Sequence, residues 1–253
     1  MLQEEGLYVL TSGREWSQVR RQNGRAVCIS YALGDQGRLR RTALPPETRD
    51  TLMGICDQGF SPGRADAASF VRDVLYEIQR LGYTGVLADW EGICQTRVAF
   101  LQQLDQALAE RQLPLYAPRP YAPHLSAARL VTPCCVTGGS LEEMLREQIG
   151  AFGAQRLAMD LTPLCQSFTL PCHYAHGQTL TPAQCRAKLQ EYGSSLFFSR
   201  EMCIKYFTYM DQERQGHYVL FDDASTLQRK IQLCRSLGIS SFFLVYADYL
   251  ALT

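Results

Sequence analysis

No stretch of this sequence is long and apolar enough to cross a bilayer as a helix. Its apolar runs stop well short of the roughly 20 residues that a spanning helix needs. No basic run exceeds two residues, and 25 Lys and Arg balance 25 Asp and Glu to a formal charge of zero. That removes the electrostatic footprint expected of nucleic-acid binding or of attraction to an anionic membrane surface. The opening residues, MLQEEGLYVL, carry acids where a secretory leader has basic residues, and they lack a long apolar core. A non-secreted chain is the expectation. Histidine is scarce, at four residues, and no CxxC spacing occurs among the ten cysteines. The adjacent Cys134 and Cys135 do not have metal-ligand spacing. Several cysteines lie inside apolar runs, where a free thiol behaves as a small hydrophobe. They read as reduced core residues, with no metal and no cofactor expected. A zinc site using His173 or His176 is the alternative. No low-complexity tract is present.

What the sequence does have is a rhythm. Eight short apolar runs occur at residues 6–11, 26–32, 51–57, 84–91, 113–118, 129–135, 156–161 and 240–246. They are apolar on both faces, as strands of a parallel sheet covered on both sides should be. Helical patterns separate many of them. Residues 65–82 place Phe70, Val74, Leu75 and Ile78 at helical spacing and end at Gly82. Residues 96–112 align Phe100, Leu101, Leu104 and Leu108, and 140–153 open with a Ser140/Glu143 capping box. Residues 222–238 open with Asp222 or Asp223 as cap. Eight such units in 253 residues have the length of a (β/α)8 TIM barrel, one domain over 1–253. A doubly wound open sheet is the alternative, but no glycine-rich phosphate loop follows the first run.

Two regions break the rhythm. The proline-rich stretch 116–128 leaves room for little more than one helical turn. Residues 162–222 hold one helix, TPAQCRAKLQEYG, and then an aromatic pair of strands around a polar turn. They read as a small α+β insertion between the seventh strand and the last helix.

The fourth run, GYTGVLADWEG, ends in acids. Strand periodicity puts Leu87, Asp89 and Glu91 on one face and Trp90 on the other, packed against the outer helices. Barrel active sites are built at the C-terminal ends of the strands. Two carboxylates about 7 Å apart there raise each other's proton affinity, so one is protonated beside one ionised. That is the pairing glycosidic cleavage uses. The competing reading is that both acids cap a helix or make a rim salt bridge.

GYTGVLADWEG resembles the fourth-strand signature of family 18 glycoside hydrolases, DG-x-x-x-D-x-D-x-E. It is similar to the spore-germination, spore-cortex-lytic branch, where the segment reads YGVNIDFE. RLAMDLTPLCQSFTLP resembles that branch's ILMGIPLYGYDWTLP, and KYFTYMDQERQGHYVLFDDA its FxYxDxxGxxHxVWFEDA hairpin. The resemblance implies Glu91 as proton donor and Asp89 as the carboxylate that orients the substrate's acetamido group. It implies retaining, substrate-assisted cleavage of a glycan containing N-acetylglucosamine, chitin or spore-cortex peptidoglycan, by a cytoplasmic or spore-associated protein. Leu87 stands where the family has a third acid or Asn. The sixth-strand Met-x-Tyr is replaced by LVTPCCVTGG, the seventh-strand Tyr by Leu164 and the eighth-strand Trp by Val245, with Tyr246 the nearby aromatic. Tyr116 and Arg119, His124, Asp160 and Tyr246 are the further candidates for meeting a sugar. Tyr206, Phe207 and Tyr209 read as hairpin packing. Two functions from different classes follow: a glycosidase of narrow range, or a glycan-binding or structural spore protein with catalysis weakened or lost.

Overall fold

In the computed structural model, which describes residues 5–11, 15–21, 25–43, 48–49, 51–60, 66–171 and 177–252, each of the eight apolar runs contains a strand. In chain order the strands are β1 (Leu7–Thr11), β2 (Arg25–Leu33), a short β3 (Leu39–Arg41), β4 (Leu52–Cys56), β5 (Gly85–Asp89), β6 (Leu115–Pro118), β7 (Arg129–Pro133) and β8 (Leu157–Asp160). The barrel's last strand, β14 (Phe242–Val245), follows the insertion. All but β3 pair in parallel, and β14 pairs with both β8 and β1, which closes an eight-stranded barrel. β3 folds back antiparallel on the end of β2.

The apolar character of both strand faces is explained by two cores. Alternate residues point into the barrel, where Val27, Leu52, Leu87, Tyr116, Ala158 and Phe243 pack together with Tyr8 and Val131, so every barrel strand contributes. The intervening residues point outward under the helices. Val86, Ala88 and Trp90 of the fourth barrel strand and the turn after it pack with Phe70, Val74, Phe100 and Leu104.

Those outer residues come from α2 (Ala67–Leu81) and α3 (Gln95–Ala109). The α2 start is capped by Asp66, whose carboxylate accepts from the N–H groups of Ala68 and Ser69 at 3.0 and 3.2 Å. Its end is Gly82, in the left-handed conformation (φ 72°) that a side chain would strain. The helix α1 (Trp16–Arg21) lies between β1 and β2, and α4 (Leu141–Phe152) opens with Ser140 accepting from Glu143 N–H at 3.2 Å. The barrel is not uniformly wound with helices. The connection from β6 to β7 is a 3₁₀ turn, Arg119–His124, as the prolines there demand. Between β2 and β4 the described residues contain β3 and one 3₁₀ turn but no α-helix.

The insertion is a five-stranded antiparallel sheet with α5 (Pro182–Glu191) against it. Its strands are β9 (Cys165–Leu170), β10 (Gln178–Thr179), β11 (Phe197–Ser199), β12 (Ile204–Met210) and β13 (Gly216–Phe221). Phe207 and Tyr209 are buried in its own core, and Tyr206 stacks on Phe197 at 5.4 Å. The chain then enters α6 (Ala224–Ser236), β14 and a final α7 (Tyr246–Leu252). The cap of α6 is Asp223, which accepts from Ser225 and Thr226 N–H at 3.0 and 3.1 Å. Asp222, the other expected cap, instead enters the interior and pairs with Lys230.

Among the described residues no helix is long and apolar enough to cross a membrane, and no cluster of three His, Cys, Asp or Glu side chains is placed to hold a metal. His173 and His176 lie outside the described residues.

The outer face of α2 carries a charge network with a measurable signature. Partial burial disfavours the Glu77 carboxylate, but hydrogen bonds from Arg80, Tyr31 and Arg41 outweigh this and lower its pKa to about 2. A carboxyl with a lowered folded-state pKa stabilises the fold above its unfolded value, near 4.3, and loses that contribution as pH falls toward 2. Glu77→Gln is expected to lower stability by about 1–2 kcal/mol at neutral pH, discounted because the arginines are solvated. Urea unfolding should show the gap between wild type and variant shrinking from pH 7 toward pH 3. A gap independent of pH would contradict it.

Candidate active site

The fourth barrel strand runs straight until Asp89 and stops there. Leu87 points into the barrel and forms part of the floor of a cleft at its C-terminal mouth, with Asp89 above it. The cleft holds about 370 Å³ and is open to solvent. Its polar side chains are Asp89, Asp160 and Thr162; Pro118, Pro133, Phe243 and Val245 form much of the rest.

Beyond Asp89 the chain turns. Gly92 adopts a left-handed conformation (φ 66°), and Trp90 goes outward against Phe70 and Tyr121, with ring centroids at 6.1 and 6.5 Å. Two contacts fasten this turn. The buried carboxylate of Asp57, just past the end of β4, accepts from Glu91 N–H at 3.1 and 3.2 Å. The Tyr121 hydroxyl donates to the Gly92 carbonyl at 2.7 Å. Asp57 is itself held by Arg97, whose Nε lies 2.7 Å from Oδ2.

Strand periodicity therefore extends to Asp89 and not to Glu91. The Glu91 side chain is exposed on the turn and is not among the cleft-lining residues. The shared face expected for Leu87, Asp89 and Glu91 holds only for the first two, because the strand ends two residues early.

The charges at this end of the barrel are mostly negative. Asp89 has open surface in the mouth, yet protein packs closely enough around it that burial is the largest influence on its carboxyl. Burial raises its pKa, and the charges of Asp57, Glu91 and Asp160 raise it further. Asp248, on α7, is raised in the same direction by burial and by Asp160. A carboxyl with a raised folded-state pKa leaves stability intact below its unfolded value, near 3.9, and lowers it as pH climbs through the folded value. Asp89→Asn is therefore expected to raise the melting temperature at neutral pH, with the advantage disappearing in acid. A scan from pH 4 to pH 8 tests this; a variant no more stable than wild type at pH 7 would refute it.

The other candidate residues divide. Asp160 lines the cleft, and its Oδ1 accepts from Thr162 N–H at 2.9 Å and from the Thr162 hydroxyl at 2.7 Å, which fixes its rotamer. Arg119 is exposed on the turn that follows Pro118, at the rim. His124 is exposed at the end of that turn, outside the cleft lining. Tyr116 and Tyr246 do not reach the mouth. Tyr116 is 0% exposed inside the barrel, with its hydroxyl taken by Arg129 Nη1 at 2.7 Å. Its position near the start of β6 places it below the cleft, not at the strand end, so it has no free face for a sugar. Tyr246 begins α7, is buried against the outer core and donates its hydroxyl to Gln18. The strand residue that does face the mouth there is Val245, 42% exposed. Asp57 is the site residue that the sequence reading passed over. The signal was present, since TLMGICD also ends an apolar run in an acid.

No protein-family model and no curated protein matches the chain. Solved structures do. The spore cortex-lytic enzyme SleL of Bacillus megaterium is 15% identical with a TM-score of 0.62, over 96% of this chain and 70% of that one. A chitinase of Chromobacterium violaceum is 15% identical with a TM-score of 0.68, over 96% and 94%. A GH18 chitinase of Cycas revoluta, solved in complex with (GlcNAc)4, is 13% identical with a TM-score of 0.60, over 94% of each chain. Identities this low speak for architecture alone, and the architecture they share with this chain is the (β/α)8 barrel.

Proposed function

We propose that this chain is a glycosidase of the chitinase type acting on glycans that contain N-acetylglucosamine, with peptidoglycan of the spore cortex as the substrate class. The observation that carries this reading is Asp89: a carboxylate at the end of the fourth barrel strand, facing an open cleft, with its proton affinity raised by burial and three neighbouring acids. Glu91 follows on a turn whose backbone is tied down at both Glu91 N–H and Gly92 C=O. In the proposed reaction Glu91 protonates the glycosidic oxygen as the sugar's own acetamido oxygen attacks the anomeric carbon. Asp89 orients the acetamido N–H and offsets the positive charge that develops. Asp57 acts through Glu91, by fixing the backbone that presents it. Asp160 and Arg119 supply polar contacts at the rim.

A second reading rests on a specific observation. Among the cleft's described lining residues the only aromatic is Phe243, which is buried, and Val245 and Pro133 present no aromatic ring or hydroxyl to a sugar. Glu91 also lies outside that lining. These features favour a barrel that holds a glycan while turning it over slowly or not at all. Muropeptide release from isolated spore cortex separates the two. Release by wild type that is lost in Glu91→Gln supports the glycosidase. Binding of cortex fragments with no release by wild type supports the second reading.

A further inference from the structure

The barrel has a second cavity, at the opposite end from the acids. It holds about 460 Å³, within the range of pockets that take small molecules. It is lined by residues that begin strands: Tyr8 near the start of β1, Arg25 at the start of β2, Arg129 at the start of β7, and Ser240 and Ser241 just before β14. Arg235, near the end of α6, closes one side. The two ends of the barrel therefore carry opposite charge.

Three guanidinium groups from three separate elements converge on this cavity. Glu5 is the only acid among its described lining residues, and it is exposed. Among the described lining residues the balance is an excess of two positive charges. Arg129 is partly buried, and its hydrogen bonds go to neutral partners, the Tyr116 hydroxyl at 2.7 Å and Ser241 Oγ at 3.4 Å. Its guanidinium also lies 5.4 Å from the Tyr116 ring centroid. Arg25 lies 5.8 Å from the Tyr8 ring centroid. Neither arginine has a carboxylate partner among the described residues. Arg235 donates to the Glu5 backbone carbonyl. Tyr8 stacks on Phe243 at 5.3 Å and meets Tyr116 at 5.8 Å, so the floor under the arginines is a set of interlocked rings.

We propose that this cavity binds a small phosphomonoester, with Arg25 and Arg129 holding the phosphate dianion and Ser240 or Ser241 donating to it. The planar guanidinium fork matches phosphate geometry and binds it bidentately. Arg25 and Arg129, neither paired with a carboxylate among the described residues, match a dianion better than a single carboxylate. The fixed rings orient Arg25 and Arg129 before any ligand arrives, which reduces the ordering needed on binding. The site lies at the far end of the barrel from the carboxylates and does not depend on what they do.

Calorimetric titration with phenyl phosphate at constant ionic strength tests this. Wild type should bind saturably, and Arg25→Gln and Arg129→Gln should each weaken binding by about tenfold or more. Arg129→Gln also removes a partner of the buried Tyr116 hydroxyl, so Arg25→Gln, at an exposed position, decides if the other fails to fold. Affinity should rise between pH 5 and pH 7.5, as the second phosphate proton leaves with a pKa of about 6. No saturable binding would overturn the proposal, as would binding unchanged in Arg25→Gln. Equal affinity for citrate would overturn the assignment to phosphate.

Discussion

Replacing Lys230 with methionine is expected to destabilise the fold by about 3–5 kcal/mol. Its side chain is 1% exposed and that of its partner, Asp222, is 0% exposed, with Nζ and Oδ2 2.7 Å apart. Asp222 is satisfied on every side: it accepts from Leu164 N–H at 3.0 Å and from the Thr226 hydroxyl at 2.7 Å. Removing the lysine leaves a carboxylate in the interior without its counter-charge, and two neutral hydrogen bonds offset only part of that desolvation. Methionine fills most of the vacated volume, so the loss reports charge more than packing. Asp222→Leu combined with Lys230→Met should recover part of the loss. Recovery should be incomplete, because Leu164 N–H then lacks its acceptor, while the Thr226 hydroxyl keeps the Asp223 carbonyl at 3.0 Å. Urea unfolding of the single and double variants measures both. A single-variant loss below about 1 kcal/mol would mean that the pair is dispensable. The pair also bears on the cleft. Asp222 N–H donates to the Leu164 carbonyl at 2.7 Å, so the pair pins the segment that leaves Asp160 and Thr162 at the mouth.

The second large effect concerns the acids. Glu91→Gln is expected to lower muropeptide release about a hundred- to ten-thousandfold, the size of a general acid's contribution. Glutamine keeps the shape and the backbone hydrogen bond to Asp57, so folding and cortex binding should be unchanged. Asp89→Asn should lower release as well while raising the melting temperature at neutral pH. A substitution that stabilises the fold and removes activity marks a group kept for function at the expense of stability. Equal release by wild type and Glu91→Gln would remove Glu91 from the reaction.

Much of the fold was legible because its signals are local. Runs apolar on both faces gave the barrel strands, and Ser140, Gly82 and the prolines of 116–128 marked where helices start, stop or fail to form. Legibility ended where a role depends on how far a strand continues. Tyr116 and Tyr246 sit in runs that approach the mouth, yet one points into the barrel below the cleft and the other begins a helix. Alternation along a strand says which residues share a face. It does not say at which height the barrel closes over them. Asp222 and Asp223 show the same limit. Both are good cap residues by type, and the choice between them was made by a lysine eight residues further on.

The sequence by itself determined the eight strands, the insertion and the placing of Asp89 at a strand's C-terminal end, because two-residue and 3.6-residue periodicities are written in the order of side chains. Only the tertiary structure decided that Glu91 leaves the strand, that Asp57 from the neighbouring strand holds its backbone, and that Arg25, Arg129 and Arg235 meet at the opposite end. Each of these joins residues far apart in the chain, and closing the barrel is what brings them within reach.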